Sequence, residues 1–245
     1  MENPTGTRIL GLMMILIPVT IIASVFTGGD YLEVDFGREK IAESLATLDQ
    51  HRTMAVASLG LTLCTNFIGM FATGLLFRAF SSRNRTIAMV GAISMTVGTT
   101  LLFVHATLSS GLLTLAADAV AGDAAALTSA RALARQLNVL DVAGGSTLLI
   151  GVGLFGAVLR FTPVPAGEQD ALRIPAWTGW LAMAAPVIGM SGAWIGLSQG
   201  PEGWGGLIAI LGYNAMMLFF LIGGICLLRT PARSRSAQQR TLASV

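Results

Sequence analysis

The sequence predicts an all-α polytopic membrane protein, a bundle of six transmembrane helices with a small helical extracytoplasmic cap. Two compositional observations predict this class. Only 11% of the 245 residues are charged, against roughly 25% in an average soluble domain, and 53% are hydrophobic. In addition, six apolar segments are each long enough to cross a hydrocarbon core of about 30 Å at about 1.5 Å per residue.

The six predicted spans belong to a single integral membrane domain over residues 1–228. The first span could be read as a secretory signal, because one arginine precedes it. Its apolar run of 18 residues exceeds the roughly 7–15 of a signal sequence, so we interpret it as a retained helix. Residues 229–245 form a basic tail that we expect to be disordered and cytoplasmic. The predicted spans are residues 9–26, 54–77, 87–108, 142–159, 174–197 and 207–228.

The short connection 78–86 predicts the orientation of the bundle. It contains Arg78, Arg83 and Arg85 and no acidic residue. Cytoplasmic loops carry an excess of Lys and Arg, and placing both termini inside puts ten of the 15 basic residues on the inner side. The sequence therefore predicts a multi-pass protein of the inner (cytoplasmic) membrane with both termini in the cytoplasm.

The two long connections, 27–53 and 109–141, then lie outside and contain helical patterns. Ile41, Leu45 and Leu48 follow the i, i+4, i+7 spacing of one helical face, and we expect this helix to run into the second span. Asp123 is a candidate N-cap for a second helix that continues into the fourth span. The predicted buried stripe of that helix is Leu127, Ala130, Leu133 or Ala134, and Leu137.

Small residues in the fourth and fifth spans predict close contact between helices. In lipid, helices associate through close packing and interhelical hydrogen bonds, and stripes of small residues allow it. Pro186 is expected to kink the fifth span. The predicted helix-packing residues are Gly153, Ala157, Ala185, Gly189, Gly192, Ala193 and Gly196.

Polar residues near the outer membrane surface form a candidate ligand site. The functional hypothesis is an outward-open cleft that binds a lipid headgroup or a small anionic solute. The alternative is that these side chains only pair or snorkel at the interface, as flanking polar residues do. The candidate residues are His51, Arg52, His105, Arg131, Arg135, Asn138 and Asp141.

The spans as delimited contain no Asp, Glu, Lys or Arg, and their one imidazole is His105. Proton relays and pumps place ionisable groups at membrane depth, so the pattern disfavours that class. Haem ligation by His51 and His105 is also disfavoured, because span lengths offset them by roughly 10 Å in depth. We expect no catalytic residue, no metal site, no cofactor and no nucleic-acid partner, since no motif for any of these is present.

Three short motifs resemble a family of bacterial six-span membrane proteins catalogued as domain of unknown function 4386. They are Thr7-Arg8-x-x-Gly11 at the opening of the first span, Asn84-Arg85-Thr-Ile-Ala88 at the end of the basic loop, and Ile174-Pro175-Ala-Trp177-Thr-Gly179-Trp180 entering the fifth span. The resemblance covers most of residues 5–228 and implies a six-helix membrane bundle. That family has no established activity, so it implies no catalytic or binding residue.

These observations lead to two functional hypotheses. The first is a noncatalytic membrane protein, in contact with the lipid bilayer, that binds a lipid or small solute or serves as an accessory subunit docking a partner or a second copy. The alternative is a facilitator-type transporter of an uncharged or amphipathic solute. In that case Tyr213, Asn214 and the polar flank of the second span would line the path. That flank comprises Ser58, Thr62, Thr65, Asn66 and Thr73.

Overall fold

A computed structural model describes residues 4–28, 40–163, 174–199 and 204–229. Within these ranges every regular element is an α-helix, so the predicted all-α class is confirmed. Six of the seven helices are long and apolar enough to span a membrane, which identifies a multi-pass membrane protein. The helices are α1 Pro4–Phe26, α2 Ile41–Gln50, α3 Arg52–Phe80, α4 Arg85–Val120, α5 Ala124–Phe161, α6 Thr178–Gln199 and α7 Trp204–Leu228.

The six long helices form a closed ring. Each packs against two antiparallel neighbours in the order α1, α3, α4, α5, α6, α7, and α7 returns to α1. One end of the ring, the basic end, contains Arg8, Arg78, Arg85, Arg160 and Arg229. The opposite end, the cap end, contains α2, the start of α3 and the connection from α4 to α5.

Helices α4 and α5 extend well beyond the predicted spans at the cap end. Each begins at a side-chain cap: the Asn84 carboxamide oxygen accepts from the Ile87 amide, and the Asp123 carboxylate accepts from the Ala125 and Ala126 amides. The Asp123 cap is the predicted one, and α5 runs from it without a break into the fourth span. At 36 and 38 residues the two helices are about 54 and 57 Å long, so they must protrude from or tilt within a 30 Å core.

Helix α2 packs as a short cap against α4 and α3. Its predicted apolar face, Ile41, Leu45 and Leu48, is fully buried in a cluster with residues of α3, α4 and α5. The prediction that this helix runs into the second span is wrong. The backbone at His51 leaves the helical region, with φ −106° and ψ 24°, and α3 starts afresh at Arg52.

The contact between α6 and α7 is made largely by glycine. A Cβ atom at Gly192 would collide with the backbone of Ala209, and one at Gly212 would collide with the backbone of Gly189. Any side chain at these positions would separate the two helices, because the obstructing atoms are backbone.

Five of the seven predicted packing residues lie at contacts between helices or are fully buried, and the other two are partly exposed. Gly153 lies against the Pro186 ring, Gly189 against Leu149 and Gly212, Gly192 against Gly205 and Ala209, and Gly196 opposite Gly205, while Ala185 is fully buried. Ala157 and Ala193 are partly exposed.

An apolar core contributed by all six long helices fills the half of the ring toward the basic end. Its largest fully buried side chains there include Phe80, Phe155, Phe219 and Phe220. Closer to the cap end, hydroxyl groups replace this core between α1 and α3. Ser24 shares hydrogen bonds of 2.8 Å with Ser58 and 3.0 Å with Thr62, and the Thr65 hydroxyl donates to Thr20 at 2.7 Å. The polar flank of the second span thus links α3 to α1.

Candidate functional site

The register between α4 and α5 brings His105 beside Asp141. A Cβ at Gly98 would collide with Leu148 and approach the Gly144 carbonyl oxygen at 2.7 Å, and a Cβ at Gly144 would meet the Leu102 side chain at 3.0 Å. Because the helices are antiparallel, one further turn toward the cap end pairs His105 with Asp141. The electrostatic interaction between these two side chains agrees with that register.

Tyr213 approaches the same place from the opposite side of the ring. Its hydroxyl group lies against Gly145, one helical turn after Asp141, where a Cβ would collide with it. Helices α5 and α7 are not neighbours in the ring, since α6 separates them. The Tyr213 side chain therefore reaches Gly145 across the interior of the ring, and Asp141 also interacts with it electrostatically.

The Asp141 side chain is exposed even though it points toward the interior. Leu137, Val142 and Gly145, which flank it on α5, are all buried. The exposure of this side chain between buried neighbours indicates that a solvent-sized space lies beside it. We call the group His105, Asp141 and Tyr213 the polar recess.

The polar groups of the recess have unused hydrogen-bonding capacity. Across the described ranges, the side chains of His105, Asp141 and Tyr213 make no hydrogen bond and no ion pair with the protein. Polar groups inside proteins are nearly always paired, because an unpaired one loses the hydrogen bonds that it makes with water. Three such groups converging from three helices indicate a place where the partners come from outside the chain.

Two buried polar atoms near the recess are also unpaired. The Asn66 side-chain amide nitrogen and the Ser146 hydroxyl have no hydrogen-bond partner, and these residues are only 6% and 7% exposed. Ser146 directly follows Gly145. The edge-to-face contact of Phe67 with Phe103 places Asn66 within about one turn of His105.

The structure does not gather the whole predicted cleft at one point. His51 and Arg52 lie at the corner between α2 and α3, where Arg52 pairs with Asp49 at 3.9 Å. The register of α3 on α4, fixed by Gly69 beside Thr99, sets Arg52 about 12 residues, or about 18 Å, beyond His105. These two residues therefore lie far above the polar recess.

The remaining predicted residues lie along α5. Asn138 is partly buried, less than one turn from Asp141. Arg135 is exposed, six residues or about 9 Å along the helix axis from Asp141, and Arg131 is ten residues or about 15 Å away. Of the seven candidates, the structure brings together His105 and Asp141, with Asn138 at their edge.

The sequence-based prediction places His105 and Asp141 in one cleft but leaves out Tyr213, which the fold brings to them. Asp141 lies one residue before the predicted fourth span, so it was counted with the outer connection, and Tyr213 was assigned only to the transport hypothesis. The available signal was Gly145, a small residue one turn from an acidic one. Its significance depends on which helix lies opposite.

The two histidines occupy different environments. The His51 Nδ1 atom lies 3.1 Å from the Thr47 carbonyl oxygen at the end of α2, whereas His105 faces Asp141. Among the described residues, no group of three or more His, Cys, Asp or Glu side chains is arranged to hold a metal ion. The chemistry of the recess is therefore that of one carboxylate, one imidazole and one phenol.

No protein-family model, no curated protein and no solved structure matches this chain. The resemblance to the six-span family stays a prediction.

Proposed function

We propose that this chain is a noncatalytic membrane protein that binds a small solute in the polar recess. The observation that supports this proposal best is the position of Asp141. Its carboxylate faces the interior of the ring, is exposed, and has no hydrogen-bond or ion-pair partner among the described residues. A carboxylate that faces into a helix bundle without a partner in the chain is expected to contact a ligand or an ion, as such groups do in membrane proteins.

The state of the three side chains favours binding over a purely structural role. Where polar side chains link two helices of this chain, they hydrogen-bond to each other, as Ser24 does with Ser58 and Thr65 with Thr20. The recess groups contribute no such hydrogen bond between α4, α5 and α7. An acidic side chain that only snorkelled to the surface would point away from the ring, whereas Asp141 interacts electrostatically with both His105 and Tyr213.

The distribution of basic residues supports an inner-membrane location with both termini in the cytoplasm. Ten of the 15 basic residues fall on the side of the termini when the chain is threaded through six spans. In this orientation the cap end and the polar recess face the extracytoplasmic side. The solute would then enter from outside the cell.

The other hypotheses have less support. The hydroxyl groups of Ser58, Thr62 and Thr65, expected to line a path in a facilitator, are engaged with α1, and Asn214 is exposed on the outer surface of α7. The glycine faces of α5 and α6, expected to dock a partner subunit or a second copy, are covered by helices of the same chain.

A ligand panel tests the proposal. The purified protein in lipid nanodiscs is screened by thermal shift against small cations, neutral polar solutes, anions and short-chain lipids. We expect at least one class to stabilise the wild type but not Asp141→Asn. The matched control is Arg135→Gln, which removes an exposed charge from the same helix and should respond as the wild type does. Stabilisation by no class, or equal stabilisation of all three proteins, would overturn the proposal.

A further inference from the structure

We propose that the ligand of the polar recess is a small organic ammonium ion with a short apolar substituent. This inference rests on the proposed function and names its substrate class. It follows from three properties of the recess, namely its charge, its hydrogen-bonding groups and its apolar walls.

The charge of the recess favours a cation. Asp141 is its one acidic group, and no Lys or Arg of the described residues lies at its level. On α1, α3, α4 and α7 the described arginines lie at the basic end or at Arg52, and the described part of α6 contains no charged residue. On α5 itself, Arg135 is the nearest, about 9 Å along the axis and exposed. With no Lys or Arg beside it, the Asp141 carboxylate gains from a ligand that brings a positive charge.

The hydrogen-bonding groups favour an ammonium ion that carries N–H donors. The carboxylate of Asp141, the hydroxyl oxygen of Tyr213 and one ring nitrogen of a neutral His105 can each accept a hydrogen bond. An alkylammonium group has three N–H donors, and N–H to carboxylate bonds are among the strong ones. The phenol ring of Tyr213 adds an electron-rich face for a cation.

The surroundings also distinguish an organic cation from a metal ion. Within the described ranges no cluster of three or more His, Cys, Asp or Glu side chains is placed to ligate a metal. Leu101 and Leu102 lie against Gly144, about one turn below His105, so the recess is bordered by apolar side chains on that side. Asn66 and its unpaired amide lie at this same level and limit how far the apolar wall extends.

A matched ligand series separates charge, donors and size. Isothermal titration calorimetry in nanodiscs compares n-butylammonium with n-butanol, butyrate and butyltrimethylammonium. These probes carry a butyl chain, or in butyrate a propyl chain, and are in turn cationic with N–H donors, neutral, anionic, and cationic without donors. We expect saturable binding of n-butylammonium, weaker binding of butyltrimethylammonium, and no saturable binding of butanol or butyrate. Sodium ions added to a sodium-free buffer serve as the inorganic comparison.

Three variants assign the binding to the recess. Asp141→Asn should weaken n-butylammonium binding by roughly tenfold or more, because charge-assisted hydrogen bonds are lost. Asp141→Glu retains the charge and should bind more tightly than Asp141→Asn, which also guards against a variant that fails to fold. Arg135→Gln should bind as the wild type does.

The outcomes separate this inference from the proposed function. If butanol or butyrate binds in an Asp141-dependent manner and n-butylammonium does not, the recess is a solute site but not an ammonium site. If sodium binds and excludes n-butylammonium, the site belongs to an inorganic cation. If n-butylammonium binds equally to wild type and Asp141→Asn, it partitions into lipid and the ammonium site is refuted.

Discussion

The hydroxyl group of Tyr213 on α7 occupies the space that a side chain at position 145 of α5 would need. The two residues belong to helices that are not ring neighbours, so their contact crosses the interior of the bundle. It sets the lower boundary of the polar recess, one turn below Asp141. Both the geometry of the site and the approach of α7 depend on the absence of a side chain at Gly145.

Replacing Gly145 with Ala should therefore destabilise the protein through a collision with the Tyr213 hydroxyl. We expect a loss of about 1–3 kcal/mol in the free energy of unfolding, the range for overpacked interiors. The double variant Gly145→Ala with Tyr213→Phe should recover much of this loss, because the oxygen atom that collides is removed. Thermal or SDS-induced unfolding in detergent measures both effects.

Gly60→Ala provides the matched control for this pair. Gly60 lies in α3 with no atom within 4 Å of the position of an added Cβ. Alanine should be neutral or slightly stabilising there, by up to about 1 kcal/mol, because glycine is the poorer helix former. Equal destabilisation by Gly145→Ala alone and in combination with Tyr213→Phe would show that the hydroxyl contact is not the cause.

The contact of α6 with α7 should be equally intolerant of a methyl group at Gly212. A Cβ there collides with the backbone of Gly189, which cannot rotate away as a side chain can. We expect Gly212→Ala to cost about 1–3 kcal/mol of unfolding free energy. Gly206→Ala, six residues earlier in the same helix and in open space, should leave stability unchanged or slightly higher. A thermal-shift comparison in which both variants behave alike would contradict this interface.

Two buried serines should respond in opposite directions to removal of the hydroxyl group. Ser24→Ala breaks hydrogen bonds to Ser58 and Thr62 and should cost about 0.6 kcal/mol, the average for such links in membrane bundles. Ser146→Ala removes a buried hydroxyl without a partner and should be neutral or stabilising. Unfolding in detergent compares the two. A clear loss of stability for Ser146→Ala alone would show that its hydroxyl is paired after all.

Most of the fold could be predicted from the sequence because its main signals are local. Length and hydropathy define six helices, the capping residue Asp123 marks the start of α5, and the spacing of Ile41, Leu45 and Leu48 identifies the buried face of α2. The break between α2 and α3 at His51 could not be predicted. An isolated departure from helical φ and ψ between two helical patterns leaves no strong mark in the sequence.

Only part of the candidate site could be predicted from the sequence, since the site depends on which helices lie opposite one another. His105 and Asp141 were recognised, but they were grouped with Arg52 and Arg135 on the expectation that polar residues near one surface converge. The structure shows that helices α4 and α5 extend far beyond the spans, which separates residues that share a side of the membrane by about 9–18 Å along the helix axes. Tyr213 joins the site through a contact across the ring, which no periodicity within one helix encodes.

Access of water to the polar recess can be measured directly by cysteine labelling. In a background with Cys64→Ser and Cys226→Ser, the variant Asp141→Cys should react readily with a membrane-impermeant thiosulfonate reagent, because the position is exposed. Leu149→Cys, two turns deeper on α5 and 1% exposed within the apolar core, should remain protected until the protein is unfolded. Protection of both positions would mean that the ring is closed above Asp141. Labelling of both in the folded protein would instead mean that water passes the apolar core, which is the behaviour expected of a transport path and not of a recess closed at the basic end.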